Sequence, residues 1–241
     1  MPAGKRLYVS DQGANALHVI ETHARTIERS IALGESPEGV SVSADGLLTA
    51  AATEAANAVA LIDAASGNVL ATVKTEDKNP EHAVFSPDGR WLYVSAEDAS
   101  QIDVVDVGER RQMASIPVAR RPRGIAFTPD GKRAYVACEL DSRIYPIDVD
   151  AHRAVAEIRG GNFSNGVVMS PDGARRLHFE WTRRESYRHR HGQQRGTRDG
   201  TGRAAAMEHG DYPGRGEGLC RQRTRTADIA VGELPWGVVI R

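Results

Sequence analysis

The stretch Arg121-Pro122-Arg123-Gly124-Ile125-Ala126-Phe127-Thr128-Pro129-Asp130-Gly131-Lys132-Arg133-Ala134-Tyr135-Val136-Ala137 alternates apolar and polar residues on both sides of an Asp-Gly pair. Asp-Gly in that setting is the strongest short-range signal for a β-hairpin, because a tight primed turn needs positive φ and these two residues tolerate it. The pair recurs at Asp45-Gly46, Asp88-Gly89 and Asp172-Gly173, so the four glycines step by 43, 42 and 42 residues. Pro87, Pro129 and Pro171 stand before the last three pairs. A constant period of this length marks a repeat architecture, and it takes precedence over any local reading.

Laid over one another, the repeats give four short strands each. The first precedes the turn, at residues 38–43, 81–86, 123–128 and 165–170. The second follows it, as in Leu7-Tyr8-Val9-Ser10, Leu92-Tyr93-Val94-Ser95 and Ala134-Tyr135-Val136-Ala137. A third ends in a carboxylate 17 residues after the turn glycine, at Asp63, Asp106 and Asp148, with Glu21 in the same role. The fourth is a Val/Ile segment such as residues 69–73 or 114–118. Four strands, about 42 residues and no helical period predict an all-β fold, a β-propeller of four-stranded blades. Pro146 fits poorly, because it lies inside a third strand and removes a ladder donor.

The 241 residues carry 31 Lys+Arg against 32 Asp+Glu, a formal charge of −1, and are 40% apolar. They form a globular chain with a core of its own, and nothing in the totals points to nucleic acid or a membrane. No apolar run reaches the roughly 18 residues of a membrane span, and no signal-peptide pattern follows Met1. Two cysteines, Cys138 and Cys220, cannot make a disulfide framework.

The charge is unevenly placed. Residues 174–226 hold 13 of the 27 arginines, only 6 acids and no Val or Ile. That segment is either an arginine-rich insertion for nucleic acid or a stretch translated out of frame. Glu185-Ser186-Tyr187-Arg188-His189-Arg190-His191 can be encoded GAG AGT TAC CGT CAT CGA CAC, and one base on this reads Arg-Val-Thr-Val-Ile-Asp, a third strand. Its aspartate codon begins within that of Arg190, 17 residues after Gly173, where the repeat requires it. Met207-Glu208 forces a tryptophan codon in the shifted frame, 42 residues after Asn165, just as Trp236 follows Pro235. Residues 175–226 are therefore read as frameshifted and not natively folded, with regular blades ending near residue 174 and no nucleic-acid partner.

The frame returns by Ala227, and Asp228-Ile229-Ala230-Val231-Gly232 and Leu234-Pro235-Trp236-Gly237-Val238-Val239-Ile240 resume a fourth and a first strand. Gly4 lies 42 residues before Gly46, so Met1-Pro2-Ala3-Gly4 takes the place of a turn and Met1 is read as not the natural start. The whole chain, residues 1–241, is one propeller domain of six or seven blades in its intact form. Six close if the two termini complete one blade; seven close if a further blade precedes Gly4, which the turn remnant favours.

With Tyr93-Val94-Ser95, Val104-Val105-Asp106, Arg121-Pro122-Arg123-Gly124-Ile125-Ala126-Phe127 and Pro129-Asp130-Gly131 in register, the chain resembles the YVTN family of β-propeller repeat proteins. Within it, the chain is most similar to the β-propeller proteins associated with PQQ-dependent catabolism. The resemblance implies an exported, periplasmic protein, usually seven-bladed, that acts as a non-catalytic binding or scaffold element beside a periplasmic quinoprotein oxidation system. Its implied partner is a periplasmic dehydrogenase or a small polar ligand, and it implies no cofactor of its own. The alternative is a propeller enzyme, a lactonase or an oxidoreductase subunit like those of amine dehydrogenases. One propeller serves many functions, so the match speaks to architecture more than to activity.

Propellers bind at a central channel lined by first strands. The residues after the periodic proline position are Glu38, Glu81, Arg123, Asn165 and Trp236, a mixed ring suited to a polar ligand, or else a set of solvated loop residues. His82 is the one histidine on a first strand; in a haem-carrying propeller it would be a ligand candidate, and otherwise it is a satisfied or exposed side chain. His178, His189, His191, His209 and Cys220 fall in the shifted segment and receive no role. Cys138 reads as a small buried residue. The recurring Asp63, Asp106 and Asp148 read as caps of the following turn. With no nucleophile elbow, phosphate loop or metal-ligand spacing in the regular segments, no catalytic or metal-binding residue is assigned.

Overall fold

The computed structural model describes residues 4–75 and 79–170 throughout, and beyond them the backbone of three short strands. Its regular elements are β-strands, gathered into successive antiparallel sheets. Blade A contains β1 (Arg6–Asp11), β2 (Ala16–Glu21) and β3 (Thr26–Ala32). Blade B contains β4 (Pro37–Val42), β5 (Leu48–Thr53), β6 (Ala58–Asp63) and β7 (Val69–Lys74), and blade C contains β8 (Pro80–Phe85), β9 (Trp91–Ala96), β10 (Gln101–Asp106) and β11 (Arg111–Pro117). Blade D contains β12 (Pro122–Phe127), β13 (Arg133–Cys138), β14 (Arg143–Asp148), β15 (Arg153–Ala154) and β16 (Ile158–Arg159). A fifth sheet, blade E, is ordered β17 (Ser164–Met169), β18 (Arg176–Glu180), β19 (Arg203–Ala206), β20 (Gln222–Arg223). The fold is the all-β propeller that the period predicts, with blades B, C and D each one repeat and blade E spread over residues 164–223.

One boundary moves. The sequence shows no strand alternation after residue 174, yet β18 pairs with β17 and sets Val167 opposite His178, where Ile125 faces Val136 and Val40 faces Ala51 in earlier blades. Hairpin register is fixed by loop length and turn geometry, and the sheet goes on through β19 to β20, so paired strands also occur inside the segment expected not to fold natively. Residues 181–202, 207–221 and 224–241 lie outside the described residues, and most of the shifted segment lies there with them.

The Asp-Gly turns differ in kind from the primed turn expected. Gly46, Gly89 and Gly131 take φ of +74°, +73° and +71°, whereas Asp45, Asp88 and Asp130 keep negative φ. Each glycine amide donates to the carbonyl three residues earlier, Gly46 to Ser43 at 2.8 Å, Gly89 to Ser86 and Gly131 to Thr128 at 2.9 Å. This is a turn closed by a left-handed glycine, within a longer loop. The aspartate contributes its side chain: Ser43 Oγ donates to Asp45 Oδ1 at 2.6 Å, the Leu47 amide donates to the same oxygen at 2.9 Å, and Ser43 Oγ accepts the Leu48 amide at 2.9 Å. Ser86 with Asp88 and Thr128 with Asp130 repeat the arrangement. The hydroxyl donors first, and the turn amides with them, hold all three carboxyls below the usual carboxylate range. Pro87 and Pro129 occupy equivalent turn positions; Pro171 lies outside the described residues.

At the other hairpin the capping reading holds. Asp63 Oδ1 accepts the Ser66 amide at 2.6 Å, Asp106 Oδ1 that of Glu109 at 2.9 Å and Asp148 Oδ1 that of Ala151 at 3.1 Å. Glu21 accepts the Ala24 amide in the same way.

Strand alternation divides each sheet between two cores. In β5, Ala51 faces blade A with Tyr8, Leu17 and Ile62, while Ala50 and Ala52 face blade C with Phe85, Leu92 and Val94. In β9, Leu92 and Val94 face blade B, and Tyr93 turns the other way onto Phe127, Ala134 and Val136 of blade D. The Tyr93 and Phe127 rings meet at 4.8 Å. A single blade is too thin to bury either of its apolar faces, so it is stable only between copies of itself. Cys138 is fully buried in the core between blades C and D, and burial pushes its thiol up to about 12.

Pro146 explains the one broken strand. In blades A, B and C the fourth strand bulges opposite the third, between Val19 and Ile20, Leu61 and Ile62, and Val104 and Val105. In blade D, Pro146 stands where Val104 stands in blade C and offers no amide, so the fourth strand parts into β15 and β16 on either side. One bond survives, from the Val155 amide to the Pro146 carbonyl at 2.9 Å.

Between blades C and D, His152 Nδ1 lies 3.0 Å from the Tyr93 hydroxyl, and its ring meets Trp91 edge-on at 4.6 Å, with Arg90 stacked over Trp91 at 4.5 Å. Burial, and then Arg90, lower the His152 pKa. A base whose folded pKa lies below its unfolded value contributes stability that is complete above the unfolded value and is lost as pH falls through the folded one. Thermal unfolding between pH 8 and pH 5 should therefore show a falling Tm, and His152→Gln should flatten that part of the profile. An unchanged slope in the variant would remove His152 from the account.

Candidate functional site

The first strands β4, β8, β12 and β17 stand next to one another, each on the edge of its blade. Each begins with a bulge, between Pro37 and Val40, Pro80 and Ala83, Pro122 and Ile125, and Ser164 and Gly166. A bulge re-aims the side chains it carries. Here it frees the residue after the proline position from the face alternation of the strand.

The chain enters each of these strands through a residue of positive φ: Ser36 at 55°, Asn79 at 59°, Arg121 at 60° and Phe163 at 56°. The carbonyl of that residue accepts the amide of the residue just past the second strand, Glu54 onto Ser36 at 2.9 Å, Glu97 onto Asn79 and Glu139 onto Arg121 at 3.0 Å. Glu54, Glu97 and Glu139 are thereby held beside the bulge of their own blade. They step by 43 and 42 residues, the same steps as the turn glycines, so the period alone could have found them.

In blades C and D the bulge and these glutamates form one ionic cluster. Arg123 pairs with Glu81 through Nη1, with Glu139 through Nε at 3.2 Å and with Glu97 through Nη2 at 3.5 Å. Arg121 pairs with Glu97 and, at 3.3 Å, with Glu139. Arg123 and Glu81 are only 6% and 2% exposed. The cluster bridges the two blades, because Glu81 and Glu97 belong to blade C and the other three residues to blade D. Burial raises the Glu97 pKa, against the pull of Arg123 and Arg121, and Glu81 raises it further through its charge and a hydrogen bond.

Between blades A and B, uncharged side chains bond the corresponding glutamates. Gln12 Nε2 donates to Glu38, and Ser36 Oγ donates to Glu54 Oε2 at 3.1 Å. Ser36 stands where Arg121 stands in blade D, and Glu38 where Arg123 stands. Exchanging both for arginine converts a hydrogen-bonded joint into an ionic one on the same backbone.

The residues expected at the channel divide as follows. Glu38, Glu81 and Arg123 are buried and bonded, which corrects the reading of them as solvated loop residues. Asn165 is half-buried, and its carbonyl lies against Gly124 of blade D. His82 is half-buried; its amide donates to Ser95 Oγ at 3.0 Å and its ring lies against Gly39 of blade B. Trp236 lies outside the described residues. Sequence reasoning missed Gln12, Glu54, Glu97, Arg121 and Glu139, which belong to second-strand ends and blade entries rather than to the first strand. Among the described residues, no group of three or more His, Cys, Asp or Glu side chains is placed to hold a metal, and no helix is long and apolar enough to cross a membrane.

No protein-family model and no curated protein matches the chain. Among solved structures it is similar to Kuenenia stuttgartiensis hydrazine synthase, a β-propeller-containing protein, with a TM-score of 0.71 at 20% identity. The match covers 92% of this chain and 64% of that one, so the chain spans less than two thirds of its structural neighbour. At this identity the likeness shows the fold alone.

Proposed function

We propose that the chain is a non-catalytic binding or scaffold propeller of the YVTN type, serving a periplasmic quinoprotein oxidation system through the end of the channel where the blade entries meet. The observation that supports this reading is the commitment of the inner carboxylates. Glu81, Glu97 and Glu139 are tied to Arg121 and Arg123, and Glu38 and Glu54 to Gln12 and Ser36, which makes a fixed polar platform. Groups held this firmly suit recognition of a partner or a small polar ligand, because little further ordering is needed on binding. Titration calorimetry of the chain against a PQQ-dependent periplasmic dehydrogenase should give a saturable complex that Arg121→Ala weakens. No heat of binding at micromolar concentrations would count against the role.

A propeller enzyme, either a lactonase or an amine dehydrogenase-like subunit, is the second reading. One feature favours it, the carboxyl cluster in which Glu97 is raised. Lactone hydrolysis or amine oxidation that disappears in Glu97→Gln, with the fold intact, would replace the first reading by this one.

The reading of residues 175–226 as frameshifted belongs to the same proposal. The coding DNA with its flanks tests it: a single-base shift near codon 174 that reverses before codon 227 supports it, and related genes that encode the same arginine-rich segment in an uninterrupted frame would end it.

A further inference from the structure

The outer strands of blade A set an imidazole against a hydroxyl. β2 and β3 pair so that His18 stands opposite Ser30, and His18 Nδ1 lies 2.8 Å from Ser30 Oγ. Asp11, the last residue of β1, brings its Oδ2 to 3.2 Å from His18 Nε2. That carboxylate is itself fixed, because its Oδ1 accepts the Ala14 amide at 3.0 Å. A carboxylate can only accept, so Nε2 carries the proton and Nδ1 is left to accept from the Ser30 hydroxyl. These are the parts of a Ser-His-Asp triad, with the roles of the two ring nitrogens exchanged. The cross-strand register supplies the place and the side chains supply the chemistry. The same two positions hold Ala60 with Thr72 in blade B, Asp103 with Ser115 in blade C and Tyr145 with Glu157 in blade D. Among the described blades, only blade A fills them with an imidazole beside a hydroxyl.

We propose that Ser30 is an acylatable nucleophile and that blade A hydrolyses small neutral esters at its outer wall. Ser30 is exposed on the outermost strand of its sheet, within reach of a substrate. Ladder bonds alternate along β3. The Leu33 amide donates to the Asn15 carbonyl at 2.9 Å, which makes Ile31 and Arg29 the next bonded positions and turns the Ser30 amide to the open edge. That amide is placed to take the charge that develops on the acyl oxygen. Val9, opposite His18, and Ile20, two residues on, share its face and are half-buried, which gives a short acyl chain an apolar floor. In the first step Ser30 Oγ bonds to the acyl carbon as its proton passes to His18 Nδ1; the ester C–O bond breaks and the alcohol leaves with that proton. Water then gives a proton to the same nitrogen and bonds to the acyl carbon. The bond to Oγ breaks, Ser30 recovers the proton and the carboxylic acid departs. One oxyanion donor where the serine hydrolases use two, and an Asp11 side chain that is 45% exposed, make this a slow catalyst. The arginine and glutamate cluster takes no part in it, so the binding role proposed for that end of the channel is tested separately.

Hydrolysis of p-nitrophenyl acetate by the full chain tests this. The expected result is turnover through an acyl-enzyme: an initial burst of p-nitrophenolate, an acetyl group on the peptide that contains Ser30 after acid quench, and a rate lower by at least about tenfold in Ser30→Ala and in His18→Gln. Thr72→Ala, at the equivalent position of blade B, should leave burst and rate unchanged. Ser30 is exposed, so Ser30→Ala keeps the fold, which circular dichroism checks. A fluorophosphonate gives a second readout, because it should label Ser30 in the parent chain and not in His18→Gln. An unchanged rate in Ser30→Ala, or an acetyl group found only on other residues, would overturn the proposal. So would a loss in His18→Gln that Ser30→Ala does not share, since it would make His18 a surface base acting directly on water.

Discussion

Arg123→Met should destabilise the chain by about 3–5 kcal/mol, the usual consequence of removing one member of a buried ionic set. Methionine keeps the length of the side chain and much of its apolar stem. It leaves Glu81, 2% exposed, without its guanidinium, and Glu97 and Glu139 with Arg121 alone. The penalty comes from keeping the buried Glu81 charge once Arg123 is gone and not from the lost attraction, so Glu81→Leu added to Arg123→Met should recover part of it. Denaturant unfolding of the two variants and the parent measures both effects. A loss under about 1 kcal/mol for Arg123→Met, with no recovery in the double variant, would mean that the cluster is solvated in solution. Acid acts on the cluster and the turns with opposite signs. Asp45, Asp88 and Asp130 sit below their usual range, so the stability they confer is present above the unfolded value and is lost as pH falls through the folded one. Glu97 sits above its usual range, so its protonation relieves the fold as pH falls.

Gly124→Ala comes next in expected effect. A Cβ at that position would stand 2.7 Å from Gly166 Cα, 2.8 Å from the Val167 nitrogen and 3.0 Å from the Asn165 carbonyl, all backbone of the next blade. No side chain can swing aside to make room, so blades D and E must part, at about 1–3 kcal/mol. Gly39→Ala meets the Glu81 carbonyl at 2.7 Å and should behave in the same way between blades B and C. Gly89 is the control: a Cβ there meets nothing within 4 Å, and only its φ of +73° matters. Asparagine tolerates that conformation, so Gly89→Asn should be close to neutral where Gly124→Asn is not. Equal losses at the two positions would show that backbone freedom, and not the approach of two blades, selects the inner-strand glycines.

The period was legible because it rests on turn chemistry, which is local. Asp-Gly, the hydroxyl two residues before the aspartate, and the carboxylate 17 residues after the glycine each bond within a few residues of themselves. Strand faces followed, since alternation assigns Ala50 and Ala51 to opposite cores. The type of turn was misread, because Asp-Gly suggests two left-handed residues and only the glycine adopts that state. The site was half legible. Glu38, Glu81 and Arg123 are marked by the proline before them, but what they bond lies far off in sequence: Gln12 is 26 residues from Glu38, Glu81 is 42 and Glu97 26 from Arg123, and Glu139, in the same blade, is 16 from Arg123. Short-range pattern carries no information on which ions meet across a blade joint. Pro146 was correctly seen as a misfit, but its effect falls on the neighbouring strand, which divides into β15 and β16.

One unit of about 42 residues recurs with the same internal bonding through blades B, C and D. Amide hydrogen exchange resolved by residue over 4–170 measures this most directly. The expected protection profile repeats at 42–43 residues, highest in β5, β9 and β13 and in the third strands beside them, lowest at the fourth-strand bulges near Leu70 and Met113 and at the break between β15 and β16. A profile that decays smoothly from one end of the chain to the other, or that protects one blade and leaves its equivalents open, would contradict it.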